Sequence, residues 1–256
     1  MSSLEPNSVV KSIEALSVTE VYEMHEVFVK YYNNADFETF VSDIYKKQHV
    51  LLITDRETNR IVGFSTLAVF DLEYKGKKAY GIFSGDTILE KKYWGSRRWQ
   101  FTWAMFFLRI KLKNPLTPFF WLLISKGYKT YLLLANNFVN YYPRIDHEDS
   151  DLANLVDAYC NKLYPEYYNQ EDKILDFGNQ YQNLKDGVAE IIDDLKTTQP
   201  KIHFFEEKNP EWRRGTELPC VGLMEIPALI NFIKKVIREK TAKSKQPAFS
   251  EDMQSQ

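Results

Sequence analysis

Four cations surround a single glycine in the segment 90–99 (EKKYWGSRRW), between a strand-rich region and a long apolar helix pattern. The first N–H groups of a helix lack partners within the helix and lie at its positive dipole end. Cations are unfavourable there unless an anion is bound, so the segment predicts a site for phosphate or another anion. A solvated run of charge is the alternative. The ligand-binding residues predicted in this segment are Lys92, Gly95, Ser96, Arg97 and Arg98.

A second group of ionisable residues surrounds His147, in the run 146–149 (DHED). Consecutive residues cannot all converge on one ion, so the run does not predict a metal site. His147 could act as a general base if its loop folds back onto the chain. A solvated turn is the alternative reading.

The elements that would hold these residues follow from periodicity in the first half of the chain. Ser17 and Glu20 form a capping-box pattern before a helix, and a second helix is expected from Asp36. Strands over His49–Thr54, 60–74 and 78–89 are joined by tight turns, which predicts an antiparallel sheet.

The second half gives weaker signals and ends in a polar segment. The elements expected there are helices over about 97–113 and 119–125, a strand over 129–135, a helix over 151–163, an amphipathic segment over 181–195, strands over 201–206 and 221–226, and a helix over 227–240.

This order of elements resembles the GNAT superfamily of N-acyltransferases over roughly residues 15–145. In that family the loop after the fourth strand reads Arg/Gln-x-x-Gly-x-Gly/Ala and holds the pyrophosphate of acyl-coenzyme A. Lys92, Gly95 and Arg97 stand at the matching positions, and Arg97 replaces the second small residue. The resemblance implies an α/β (α+β) fold, with a mixed, mostly antiparallel sheet flanked by helices and a helical elaboration.

The same resemblance implies roles for residues on either side of the loop. The family places an Asn after the fifth strand and a Tyr about two helical turns further on. Asn137, then Tyr141 and Tyr142, lie in this region, so Asn137 is expected to bind the donor and a tyrosine to protonate the departing thiolate. Asp86 lies where the resemblance places a general base, and Gly85 permits a bulge that would open the strand. A backbone-bonded aspartate and packed tyrosines are the alternatives.

The implied reaction is direct attack of an amine on a thioester, with acyl-coenzyme A or acyl-phosphopantetheine on an acyl carrier protein as the donor. Aromatic residues after the loop favour a fatty acyl group, as in the branch that N-acylates peptides or amino acids. The alternatives are an ordinary acetyltransferase and a non-catalytic binding module. The aromatic residues concerned are Trp99, Phe101, Trp103, Phe106, Phe107, Phe119, Phe120 and Trp121.

Composition narrows the class of protein. With 256 residues, 44% of them hydrophobic, the chain predicts one domain over 1–240 and a disordered tail at 241–256. The resemblance to the GNAT core implies that about 146–200 is a helical insertion. The net charge of −2 argues against a nucleic-acid partner. Cys160 and Cys220 lie far apart, which favours a reducing, cytoplasmic setting, and neither a signal peptide nor a transmembrane segment is predicted.

Overall fold

The computed structural model describes residues 5–94, 96, 98–188 and 190–244. Its helices are α1 (Val18–Phe28), α2 (Phe37–Tyr45), α3 (Arg98–Lys113), α4 (Tyr128–Ala135), α5 (Ser150–Leu163), α6 (Asp193–Thr198), α7 (Pro200–Lys208) and α8 (Ile226–Ser244). Its strands are β1 (Asn7–Ser12), β2 (Tyr32–Asn33), β3 (His49–Thr54), β4 (Ile61–Tyr74), β5 (Lys77–Leu89), β6 (Phe119–Ser125), β7 (Tyr141–Tyr142), β8 (Tyr168–Asn169), β9 (Ile174–Leu175), β10 (Asn183–Leu184) and β11 (Leu218–Leu223).

A seven-stranded sheet in the order β1-β3-β4-β5-β6-β11-β7 forms the centre of the molecule. Its neighbours pair antiparallel except β5 and β6, which run parallel. The predicted fold class, a mixed and mostly antiparallel sheet flanked by helices, is therefore confirmed. Helices cover both faces, because alternate residues of each inner strand join different apolar clusters.

The first half of the chain folds as its local signals predict. Ser17 and Glu20 make both hydrogen bonds of the capping box at the start of α1, and the Asp36 carboxylate accepts from the first N–H groups of α2. Strands β3, β4 and β5 follow as an antiparallel meander. Strand β1 was not among the predicted elements; its pairing with β3 is a long-range contact.

Two predicted elements of the second half are exchanged. Residues 119–125 form strand β6 rather than a helix, and residues 129–135 belong to helix α4 rather than a strand. Strand β6 lies between β5 and β11. Its residues 119–124 are all apolar and alternate between clusters on opposite faces of the sheet, and such a run has no period to distinguish strand from helix. In α4 the buried residues Tyr131, Leu134 and Ala135 show the helical spacing.

One further prediction near the C-terminus is wrong. The expected strand at 201–206 is part of helix α7, which has Pro200 in its first turn. The amphipathic segment 181–195 contains strand β10, a turn at Gly187 and the start of α6. Helix α8 extends to Ser244, four residues into the expected tail, and residues 245–256 lie outside the described part of the chain.

Candidate functional site

A cavity opens where strands β5 and β6 separate. Their parallel pairing ends at Ser84 and Leu123, whereas β5 continues beside β4 to Leu89. The β4–β5 register shifts at the same place, because β5 holds one residue more than β4 between the pairs Ser84–Leu67 and Thr87–Ser65. The expected bulge at Gly85 is therefore present, and it borders a cavity of about 150 Å³.

Gly85 is required at the bulge for a steric reason. A Cβ there would lie 2.6 Å from the Thr66 hydroxyl oxygen and 3.3 Å from the Lys47 ε-carbon. No side chain could be added without moving both neighbours. The backbone next to Asp86 thus lies directly against Thr66 of β4 and against Lys47, two residues after α2.

One half of the cavity is polar and contains charges of both signs. Lys126 follows β6, and its ammonium lies 3.4 Å from the Glu217 carboxylate and 4.9 Å from the ring centres of Tyr32 and Tyr181. Glu217 precedes β11, whose pairing of Leu218 with Ser125 brings the two residues together. The ionisable and aromatic residues lining this half are Tyr32, Asp43, Lys47, Asp86, Lys126, Tyr164, Phe177, Tyr181 and Glu217.

Burial shifts the ionisation of these groups towards neutrality. It raises the pKa of Asp86, against the opposing charges of Lys126 and Lys47. It also raises the pKa of Glu217 from 4.5 to about 7, with Lys126 opposing and the Asp86 charge adding to the effect. The pKa of Lys47 is lowered by burial, which Asp86 and Asp43 counteract. A carboxyl group with a pKa of about 7, as at Glu217, can exchange protons near neutral pH.

The other half of the cavity is apolar and lies between β6, α3, α4 and α8. Trp121 donates its indole N–H to the Ser84 hydroxyl at 2.8 Å, and its ring meets Trp103 edge to face at 4.9 Å. The apolar residues that line this half are Trp99, Trp103, Trp121, Leu133, Phe138, Met224, Leu229 and Phe232. The buried rings Phe107, Phe119 and Phe120 belong to the core and do not line the cavity.

The basic loop is anchored to the sheet through its backbone and aromatic rings. Lys91 donates its backbone N–H to the Tyr31 hydroxyl at 3.0 Å, and the Tyr93 hydroxyl donates to the Asp55 carboxylate. The Trp94 indole donates to the Leu89 carbonyl at 2.7 Å. These bonds hold the 3-10 turn Lys91–Tyr93 just before α3.

The described part of this loop presents several cations. Lys91 and Lys92 are exposed, and Lys92 lies 3.8 Å from Glu90. Lys129 of α4 lies 4.5 Å from the ring centre of Trp94, and the nearby charge of Lys91 adds to the burial that lowers its pKa. Arg98 is half-buried at the start of α3, and Ser96 is buried. The predicted ligands Gly95 and Arg97 lie outside the described residues.

Of the other predicted site residues, Asp86 and Asn137 line the cavity. Asn137 donates its amide to the Leu133 carbonyl at 2.7 Å. Asn137 was expected after a fifth strand, but the element before it is helix α4. The expected strand is therefore wrong, although Asn137 does line the cavity.

Tyr141, Tyr142 and His147 lie elsewhere. The two tyrosines form strand β7, beyond β11 from the cavity; burial raises the pKa of Tyr142 to about 12, and Tyr141 faces the Arg144 guanidinium. His147 is exposed on the loop before α5. None of the three is among the described residues that line the cavity. The structure does not bring them to Asp86, and their catalytic roles stay predictions.

No local pattern in the sequence marks Lys47, Lys126 or Glu217 as site residues. Lys126 was part of an apparent turn, and Glu217 stood before an expected strand. Only the pairing of β6 with β11 brings Lys126 and Glu217 together. Among the described residues no group of His, Cys, Asp and Glu is arranged to hold a metal ion, and no described helix is long and apolar enough to cross a membrane.

No protein-family model matches the chain, and no curated protein matches it. Among solved structures, it is similar to a conserved protein of unknown function from Enterococcus faecalis V583, a probable N-acyltransferase (13% identity, TM-score 0.38, 52% of this chain and 33% of that one). It is also similar to the GNAT family N-acetyltransferase YhbS from Escherichia coli in complex with CoA (12%, TM-score 0.35, 48% and 64%). A third is a Trypanosoma brucei acetyltransferase (14%, TM-score 0.36, 56% and 96%).

The matched structures thus include N-acetyltransferases of the superfamily that the sequence resembles. The chain spans about a third of the first of them and somewhat less than two thirds of the second. The function is therefore inferred from the residues of the cavity.

Proposed function

We propose that the protein is an N-acyltransferase that moves an acyl group from a thioester donor to an amine by direct attack. One observation carries the proposal: the Asp86 carboxyl group lies at a bulge where two parallel strands separate, inside a cavity with one polar and one apolar half. The polar half suits an amine acceptor, and the apolar half suits an acyl chain.

The polar half supplies groups for proton transfer. An ammonium must lose a proton before it can attack a carbonyl carbon, and Asp86, which lines the cavity, would accept that proton. Glu217, with a pKa of about 7, is a second group able to change protonation near neutral pH. Beyond Ser84 the edge of β5 is no longer paired with β6, so backbone N–H groups there could stabilise the oxyanion.

The donor's phosphate would lie at the basic loop. Lys91 and Lys92 precede the 16-residue helix α3 in the chain, Arg98 is its first residue, and Lys129 of α4 lies 4.5 Å from the ring centre of Trp94. Cations held around a helix N-terminus suit the pyrophosphate of coenzyme A or the single phosphate of a carrier-borne phosphopantetheine. Both donors share this chemistry, so the assay must separate them.

The apolar half favours a medium or long acyl group over acetyl. Burial of each methylene contributes about 0.8 kcal/mol, so the aromatic wall formed by Trp99, Trp103 and Trp121 would discriminate between chain lengths. The acceptor would be an amine of a peptide or a small molecule, bound among the carboxyl and tyrosine side chains of the polar half.

The test is thiol release from acetyl-, decanoyl- and tetradecanoyl-coenzyme A, and from the same acyl groups on a carrier protein, with a panel of amines. We expect amine-dependent release that is fastest with decanoyl or longer donors. Asp86→Asn should slow release about a hundredfold, while Asp71→Asn, an exposed carboxylate on β4, should leave it unchanged.

Each other result has a defined meaning. Release from acetyl donors alone would identify an ordinary acetyltransferase and refute the fatty-acyl part of the proposal. Turnover from the carrier protein alone would identify the donor. Donor binding without turnover by any donor and amine would indicate a non-catalytic module and would overturn the proposed function.

A further inference from the structure

Lys47 lies beside the bulge and has no role of its own in the proposed reaction. It follows the end of α2, and its ε-carbon would lie 3.3 Å from a Cβ built on Gly85. Its ammonium nitrogen donates to the Asp43 carbonyl at 3.0 Å and lies 5.8 Å from the ring centre of Phe83. A lysine amine is therefore held within the cavity, next to the residues that separate β5 from β6.

We propose that Lys47 is a self-acylation site: its amine attacks the thioester of a donor bound in the cavity. This inference rests on the proposed function, because it needs the same donor. The attacking nitrogen would occupy the part of the polar half in which an external amine has to bind. An acceptor would therefore compete with Lys47 for the acyl group.

The step balances without any further reactant. The neutral Lys47 nitrogen attacks the carbonyl carbon, the new C–N bond forms, and the C–S bond breaks as the tetrahedral intermediate collapses. The nitrogen loses a proton to the Asp86 carboxylate, and the protonated Asp86 returns it, directly or through solvent, to the departing thiolate. The products are an N-acyl-lysine and the free thiol of the donor.

The partners of the Lys47 amine differ from those of Lys126 and Lys46. Lys126 lines the same cavity, but its ammonium is engaged by Glu217 at 3.4 Å and lies against two tyrosine rings. Lys46 is exposed and pairs with the Asp43 carboxylate at 2.9 Å. Burial lowers the pKa of Lys47, against the charges of Asp86 and Asp43, which increases its neutral fraction.

Acylation would change the cavity in two ways. The modified side chain carries no positive charge, so Asp86 and Asp43 would lose an opposing charge. The acyl group would also fill space beside the bulge. The modified protein should therefore turn over external amines more slowly than the unmodified protein.

The experiment incubates the full-length protein with decanoyl-coenzyme A and, separately, with decanoyl-N-acetylcysteamine, a thioester that lacks phosphate and needs no contact with the basic loop. Tryptic mapping then locates the label. Acylation of Lys47 blocks cleavage after it and gives the modified peptide 47–56 (KQHVLLITDR). We expect occupancy at Lys47 to exceed that at Lys46 by on the order of tenfold, because only Lys47 is held at the bulge.

Matched variants separate a catalysed modification from a chemical one. Lys47→Arg should abolish the modified peptide, Lys46→Arg should leave labelling of Lys47 intact, and unfolding the protein in urea should remove the preference for Lys47. Asp86→Asn should slow the labelling, and added acceptor amine should reduce it.

The proposal is overturned if both thioesters leave Lys47 unlabelled, if Lys126 is labelled instead, or if Lys46 and Lys47 are labelled equally. In each case amine-dependent thiol release can still occur, so the self-acylation can fail while the proposed function stands. Loss of both labelling and release would count against the proposed function itself.

Discussion

Replacing Glu217 with glutamine tests whether this carboxyl group is neutral in the folded protein at moderately acidic pH. Burial raises the pKa of Glu217 to about 7, compared with its ordinary value of 4.5. A carboxyl group with a raised pKa in the folded state favours folding most below its unfolded pKa. That contribution is lost as the pH rises through the window from 4.5 to about 7.

The size of the effect follows from the two pKa values. At about 1.36 kcal/mol per pH unit, the difference between them corresponds to roughly 3 kcal/mol of unfolding free energy lost between acidic and alkaline pH. Part of this loss has already occurred at pH 5, so about 2 to 3 kcal/mol should be lost between pH 5 and pH 8. Glutamine has no such titration, so Glu217→Gln should lack this part of the pH dependence.

The assay is urea unfolding of both proteins at pH 5 and pH 8. The unfolding free energy of Glu217→Gln relative to the unsubstituted protein should be higher at pH 8 than at pH 5 by about 2 to 3 kcal/mol. The substitution also changes the group that faces the Lys126 side chain, 3.4 Å away. The pKa of about 7 already includes the attraction of Lys126 for the ionised carboxylate, and the difference between glutamine and the neutral carboxyl group does not vary with pH, so it cancels in the comparison.

Glu73→Gln serves as the control, because Glu73 is an exposed residue of β4 near the hairpin turn. Its relative stability should not change with pH. If Glu217→Gln also shows no change between pH 5 and pH 8, Glu217 is ionised in the folded protein at both. Glu217 would then not exchange protons near neutral pH.

Three further substitutions test the close packing of the sheet, the apolar half of the cavity and the cations beside the basic loop. Gly63→Ala places a Cβ 2.6 Å from the Ile88 carbonyl oxygen, so it should destabilise the protein by about 1 to 3 kcal/mol, read as a lower urea midpoint; an unchanged midpoint would contradict the close approach. Leu133→Trp should fill the apolar half and lower kcat/KM for a decanoyl donor by more than about tenfold, with acetyl transfer as the internal control. Lys129→Gln should raise KM for an acyl-coenzyme A by roughly fivefold and leave that for an acyl-N-acetylcysteamine unchanged; equal effects on both would argue against phosphate binding.

Elements with local signals were predictable from the sequence. The Ser17–Glu20 capping box, the Asp36 cap and the turns between β3, β4 and β5 act within a few residues of chain. Gly85 permits a bulge, so the position of Asp86 beside a bulge and before the basic loop could also be inferred. Each of these features is formed by residues that are close together in the chain, so the sequence alone is enough to predict it.

The exchange of β6 and α4 shows where local reasoning fails. A run of apolar residues buried on both faces carries no period, so only the neighbours β5 and β11 make residues 119–125 a strand. The position of Asn137 was inferred from a strand that is in fact a helix. Tyr141 and Tyr142 were expected near Asp86, but their pairing with β11 holds them on the other side of that strand.

The sequence by itself determined the antiparallel meander, the bulge at Gly85 and the basic segment before α3, because each depends on residues close together in the chain. The tertiary structure decided the composition of the cavity. Lys47, Lys126 and Glu217 are far apart in sequence and meet Asp86 only through strand pairing and helix packing. Their burial and mutual charges, which shift the pKa values on which the proposed chemistry depends, exist only in the folded chain.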